Sequence, residues 1–402
     1  MDKLRRKRTY KFSRRACIIL VFLFVFFCMA PSVFADGGTP VEGIMDSQLE
    51  RLKLNDIRSF WEELVHKYGG FLPDSQKGSF FEFLKGDKQF SLKEWLIAFV
   101  KFLFHELLRN AKLLGTIILL TVFSMILQNL QNAFEQKTVS KVAYAITYMV
   151  IMILALNSFH VAISYAEDAI SGMINFLIAL IPLLLALMAS VGGLTSVAFF
   201  HPLIVFLIDT SGILVKYFVL PMLFLSTMLS IVSTLTEHYK VTQLAKLLRN
   251  LSLGSLAVFF AIFLGVMSVE GASAAVTDGV TIRTAKFITG NFIPVIGRMF
   301  TDATDTVISA SALLRNTVGI VGVVILLCIA AFPAIKVFSL ALIYNIASAI
   351  LQPLGGGPII ECLNIIGKGV IFVFAALATV SLMFFLAVTI IIAAGDLSLM
   401  VR

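Results

Sequence analysis

The sequence predicts an all-α polytopic membrane protein of about seven to nine transmembrane helices, with an N-terminal signal peptide and a small helical extracytoplasmic segment. Three observations lead there. The 402 residues are 59% hydrophobic and only 14% charged, whereas soluble domains are roughly 45–50% apolar and about 25% charged. Long apolar runs recur from Leu113 onward, close to the ~20 residues that cross a bilayer as a helix. The basic excess is gathered at the start: residues 1–15 hold eight Lys and Arg against Asp2, so +7 of the formal +8 lies there. The remainder is nearly neutral and offers nucleic acid no basic surface.

That start has the three parts of a secretory signal over residues 1–35. A basic segment precedes an apolar stretch from Ala16 to Ala30, and Val33-Phe34-Ala35 supplies small residues for cleavage after Ala35. The apolar stretch is too short to span comfortably. Cys17 and Cys28 fall within the signal, while Cys328 and Cys362 lie in or beside apolar segments. Such spacing fits packing residues, and neither a metal site nor a disulfide framework.

Residues 36–112 are the one polar stretch long enough for a separate segment, and a cleaved signal places it outside the cytoplasmic membrane. Asn55 is positioned to cap a helix through Trp61 and Leu64 to Tyr68, which Gly69-Gly70 ends. Ser91 and Glu94 have the spacing of a capping box. The helix they open carries Trp95, Leu96, Phe99, Phe102, Leu103 and Leu107, with Lys93, Lys101, His105, Arg109 and Lys112 elsewhere on it. This is the composition of an interfacial helix leading into the membrane, although a soluble helix packed on its neighbours fits the same residues.

The polytopic part, 113–402, divides into spans near Leu113–Leu130, Val142–Ile163, Ile170–Val191, Leu253–Val269 and within Gly369–Ala394. Two stretches exceed one crossing. Val197–Val232 is interrupted by Asp209, Lys216 and Pro221, so a hairpin turning near Lys216 is expected. Thr317–Leu351 is interrupted by Pro333 and Lys336, and a second pair is expected there. Short cytoplasmic loops are enriched in Lys and Arg, which puts Lys137, Lys141, Lys240, Lys246, Arg249 and Lys336 inside. Glu270–Asn316 then falls outside and the C-terminus inside.

The candidate pathway or hinge residues are the polar groups and helix breakers inside these apolar runs. Asp209 and Lys216 are seven positions apart, on one helix face but about 10 Å apart along the axis. A charge at the membrane centre costs roughly 2.5–3.5 kcal/mol on insertion scales. Such residues line a wet cavity, or they mark a turn at the surface, and both readings stand. Gly355, Gly356 and Gly357, flanked by Pro353 and Pro358, fit an ordinary loop or a re-entrant one.

No G-x-x-x-x-G-K-[ST] loop, H-E-x-x-H helix or G-x-S-x-G elbow occurs, so nothing points to an enzyme or to a cofactor. A channel subunit, a permease and an assembly scaffold all remain compatible with the residues.

Longer strings narrow this. They are Tyr68-Gly-Gly-Phe-Leu-Pro-Asp-Ser-Gln-Lys-Gly-Ser79, Leu127-Gln-Asn-Leu-Gln-Asn-Ala-Phe-Glu135, Phe199-Phe-His-Pro202, Gly290-Asn-Phe-Ile-Pro-Val-Ile-Gly-Arg-Met-Phe-Thr-Asp302 and Leu351 to Pro358. Together they resemble the stage III sporulation protein AE family of endospore-forming bacteria over nearly the whole chain after the signal. The resemblance implies a multi-pass subunit of the mother-cell (outer forespore) membrane. It would belong to a channel or feeding-tube complex, secretion-like in outline, that links mother cell and forespore and sustains late forespore gene expression. Implied partners are other stage III sporulation membrane proteins, including an ATPase and ring-forming subunits, a forespore membrane partner and the lipid bilayer. Self-association of copies is compatible with the same picture. The resemblance carries no catalytic residues.

Overall fold

A computed structural model describes residues 54–73, 80, 91–133, 137–190, 194–235, 241–292, 296–354 and 357–400. The signal segment and its cleavage point at Ala35 lie outside the described residues. Those that are described form helices and no strand, as bilayer burial demands of a chain whose backbone groups must bond internally.

Helix α1, Asn55–Tyr68, buries Ile57, Trp61, Leu64 and Tyr68 along one face, the 3–4 spacing of a one-sided helix. It starts and ends where the sequence indicates, but Leu54 occupies the cap position and no side chain caps it. Asn55 is therefore the first helical residue and not the cap. Helix α2, Leu92–Arg109, likewise begins after Ser91, which is extended at φ −105° and makes no side-chain capping bond. The boundary of the capping box is correct, and the Ser91 side chain makes no capping bond in it.

Trp95, Ala98, Phe102 and Glu106 form the buried face of α2, while Leu96, Val100, Phe104 and Leu108 are exposed on another. Asn110 ends the helix: its backbone N–H and its Nδ2 both donate to the Glu106 carbonyl, at 3.0 and 2.9 Å. Beyond it α3, Ala111–Ala133, departs at 45°.

The remaining helices are long. They are α4, Lys137–Ser190; α5, Leu194–Leu214, which passes through a π-helical turn at Val215–Val219 into α6, Leu220–Leu235; α7, Thr242–Phe292; α8, Ile296–Leu351; and α9, Pro358–Met400. From α4 onward, with α5 and α6 taken as one run, successive helices are antiparallel. Tyr148 of α4 bonds Thr234 of α6 at 2.8 Å, and the Tyr344 hydroxyl of α8 donates to the Leu154 carbonyl of α4 at 3.4 Å. Further along α4, Gly172 touches Ile329 and Leu180 touches Gly322.

This architecture corrects the expected hairpins. Residues 163–170 of α4 are helical, the chain does not turn at Lys216, and α8 runs unbroken through Pro333. Among the described residues, five helices are long and apolar enough to cross a membrane, or six if α2 and α3 count as one bent span, where seven to nine were expected. The physical reason is tertiary. A helical proline costs about 3 kcal/mol, and α8 offsets it by packing extensively on α4 and α9. The helix order also places the end of α9 opposite the start of α4 and the end of α6. Met400 and Lys137 therefore lie at different ends of these helices, where the sequence reading put the C-terminus and Lys137 on one side.

The apolar segment of α4, Val142–Ser190, has 49 residues and measures about 74 Å, more than twice the ~30 Å hydrocarbon core of a bilayer. Large apolar residues stand exposed along its length and on its neighbours, among them Ile153, Ile178, Phe206, Val258 and Ile320. Lipid-facing helices show this pattern, whereas a soluble bundle would bury such residues. Cys328 and Cys362 are free and buried, consistent with packing roles.

Candidate functional site

The middle of α4 interrupts its apolar run with Tyr165, Glu167, Asp168, Ser171 and Asn175. No glycine pair or proline falls among them, so the helix continues, and Asp168, Ser171 and Asn175 face two clefts.

The first cleft, about 200 Å³, lies between α4 and the α5/π segment. Ser171 and Asn175 line it from α4, and Asp209, Gly212, Lys216 and Tyr217 from the other wall. Asp209 and Lys216 thus share one cavity, as their seven-residue spacing allows. Asp209 is exposed and Lys216 half-buried. Gly212 permits the close approach of the two walls, since a Cβ there would collide with the Ile174 side chain. The Ser171 hydroxyl donates to the Glu167 carbonyl at 2.6 Å.

The π turn has a local cause. Pro221 lacks the N–H that would bond Tyr217 in an α-helix, and its ring crowds that carbonyl. Leu220 instead donates to Val215, five residues back, which is the bond of a π-bulge, a feature frequent at functional sites. Pro221 itself is exposed.

The second cleft, about 120 Å³, lies across α4 beneath α1. Glu63, Lys67 and Tyr68 of α1 meet Asp168, Ala169 and Gly172 of α4 and Ile329 and Pro333 of α8. Lys336 sits one turn from Pro333, with its Nζ 5.6 Å from the Tyr68 ring centre and 5.4 Å from that of Tyr165. Cation–π attraction acts at such distances. Tyr68 stacks on Phe332 at 4.1 Å with the planes 8° apart, and Phe102 of α2 meets the same ring edge-on at 5.0 Å.

Glu106 is buried at 3% exposure, with Arg109 Nη1 3.6 Å from its Oε1. Burial, and then the negative fields of Glu106 and Glu63, push the Tyr68 hydroxyl up to about 12. The phenol is held neutral.

Of the residues singled out from sequence, Asp209 and Lys216 come together in the first cleft, and Pro333 lines the second with Lys336 beside it. Gly355 and Gly356 lie outside the described residues. Gly357 precedes α9, its carbonyl accepting from the Glu361 N–H at 3.1 Å, after a 3₁₀ turn at Gln352–Leu354. Sequence reasoning missed Asp168, Ser171, Asn175, Tyr165 and Glu106. The signal for Ser171 and Asn175 was their four-residue spacing inside an apolar run, which marks one helix face, while Asp168 lines the other cleft.

Comparison with known proteins settles the family. The stage III sporulation protein AE family model matches residues 75–395. Stage III sporulation protein AE of Bacillus subtilis (strain 168) is 66% identical over 367 residues, 91% of this chain and 92% of that one. The chain belongs to the stage III sporulation protein AE family. This family member is a sporulation protein whose long apolar helices are those of a membrane protein. No solved structure matches it. Four of the five motifs read from the sequence fall inside the matched region, and the fifth, Tyr68–Ser79, straddles its start. The family member's two clefts lie within that region as well, apart from the wall contributed by α1.

Proposed function

We propose that this chain is the bilayer-embedded subunit of a channel or secretion-like complex that links mother cell and forespore across the membranes between them. Its seat is the mother-cell (outer forespore) membrane. Its spans supply the membrane core on which an ATPase and ring-forming subunits assemble, and its N-terminal segment meets partners in the intermembrane space. The output is sustained late gene expression in the forespore.

One observation carries the reading: the charges expected at turns sit at mid-helix and face cavities. A scaffold with no pathway gains nothing from Asp209 and Lys216 inside an apolar helix, where each costs free energy. Polar residues there are what a wet route through a membrane protein requires.

The test is charge reversal at the first cleft. Asp209→Lys and Lys216→Glu are expected to leave co-purification with the other stage III membrane proteins intact while late forespore reporter expression falls. Normal expression from stably inserted variants removes the cleft from any pathway and favours a passive scaffold. Solute uptake by the purified chain alone in liposomes would point instead to a self-sufficient permease.

A further inference from the structure

We propose that α1 is a reversible lid over the second cleft, latched by Lys336 between Tyr68 and Tyr165. The reading rests on the cleft-lined pathway proposed above and adds the element that closes it.

Four observations support the lid. Helix α1 packs on the described helices α4 and α8 through one face, Ile57, Trp61, Leu64 and Tyr68, while Arg58, Glu62, Glu63 and Lys67 are exposed. A short amphipathic helix seated in a groove by spaced anchors is a recurrent mode of removable docking. Beneath it lies a cavity and not close packing: about 120 Å³ walled by Asp168, Glu63 and Lys67 as well as apolar groups. That is polar and roomy enough for several waters.

The latch itself is electrostatic. The Lys336 ammonium is held by two aromatic faces, one on the lid and one on α4, and Glu106 is buried close by on α2. Buried charges are poor contributors to static stability, because water solvates both partners well once they part. An apolar pair at these positions would hold α1 more firmly, so the charged arrangement suits a contact that opens.

The last observation is position. Only the thickness of α4 separates the two clefts, since Asp168, Ala169 and Gly172 line one and Ser171, Ile174 and Asn175 the other. Lifting α1 would join the second cleft to the surroundings at the level where the first already opens.

Thiol accessibility tests this without reference to sporulation. Ala169, 3% exposed beneath α1, is replaced by cysteine in a full-length chain lacking its native cysteines, and a charged maleimide is applied to the purified protein. A separate chain keeps Cys328, which is fully buried, as the sensor of bundle integrity. Lys336→Ala and Tyr68→Ala should each speed labelling at position 169 at least tenfold and leave Cys328 unreactive, whereas Lys336→Arg and Tyr68→Phe should label at close to the parent rate. An unchanged rate at position 169 overturns the lid, and so does an equal gain at Cys328, which would mean that the bundle has loosened. A tenfold gain at position 169 together with normal reporter expression from the charge-reversal variants would sink the pathway and leave the lid standing.

Discussion

The Ser252 hydroxyl of α7 donates at 3.0 Å to the carbonyl of Val219, the last residue of the π-helical turn. Seven residues earlier on α7 the partnership reverses, and Ser226 of α6 donates to the Ala245 carbonyl at 2.6 Å. The two helices are stitched side chain to backbone at both places. Interhelical hydrogen bonds in membrane proteins average roughly 0.6 kcal/mol. Ser252→Ala and Ser226→Ala should each lower stability by about that amount, and the double variant by roughly the sum. Denaturation of the purified chain in mixed detergent measures it, and wild-type stability of the double variant would show that the stitches contribute nothing.

Glycine at 369 is a packing requirement. A Cβ there would stand 2.7 Å from both Phe159 Cε2 and Thr227 Oγ1, contacts that a packed core does not tolerate. Gly369→Val should destabilise by roughly 1–3 kcal/mol or more. Gly115 has nothing within 4 Å of such a Cβ, so Gly115→Ala should be neutral or gain up to about 1 kcal/mol through helix propensity. Thermal aggregation of the two variants in one detergent separates the cases, and the reverse ranking would contradict the helix packing described.

Tyr68 predicts an alkaline limit to α1 docking. Its hydroxyl is raised to about 12 in the fold against about 10 in an unfolded chain. A raised acid binds its proton more tightly when folded, so the contribution is complete below pH 10 and is lost as pH rises through 12. Its size is on the order of 2–3 kcal/mol. Trp61, buried on the same helix, reports docking by fluorescence in a Trp95→Phe background. Emission should shift red between pH 10 and 12 in the parent and not in Tyr68→Phe. An identical shift in the phenylalanine variant would assign it to other groups.

Helix order makes a topological prediction. Cysteines at Lys137 and Lys246 should react from one side of the membrane. A cysteine at Asp278 and a tag after Arg402 should react from the other, with Thr39 reporting the N-terminal segment. A C-terminal tag on the Lys137 side would refute the antiparallel arrangement.

The membrane character, the ends of α1 and the start of α2 were legible in the sequence, because composition, glycines and helix periodicity are local signals. The extents of α4, α5–α6 and α8 were not. Lys216 and Lys336 read locally as residues of a membrane surface, and Pro333 as a break. What makes them tolerable inside helices is distant: Tyr68 and Tyr165 for Lys336, Asn175 and Ser171 for the Lys216 cleft, the packing of α4 and α9 for the proline. A one-dimensional pattern records the awkward residue and omits its remote partner. A shared helix face for Asp209 and Lys216 was legible in their seven-residue spacing, whereas the unbroken passage through Lys216 that puts both on one cleft was not.

An unbroken α4 has the geometry of a lever with unequal arms. Gly172, where the two clefts come closest, lies about 50 Å from the Lys137 end and about 27 Å from Ser190 along the axis. A rocking of 5° about that fulcrum carries the long arm through roughly 4–5 Å and the short arm through about half as much, in opposite directions. Were α4 to rock as one body, a displacement at its Lys137 end would reach the clefts as a much finer adjustment.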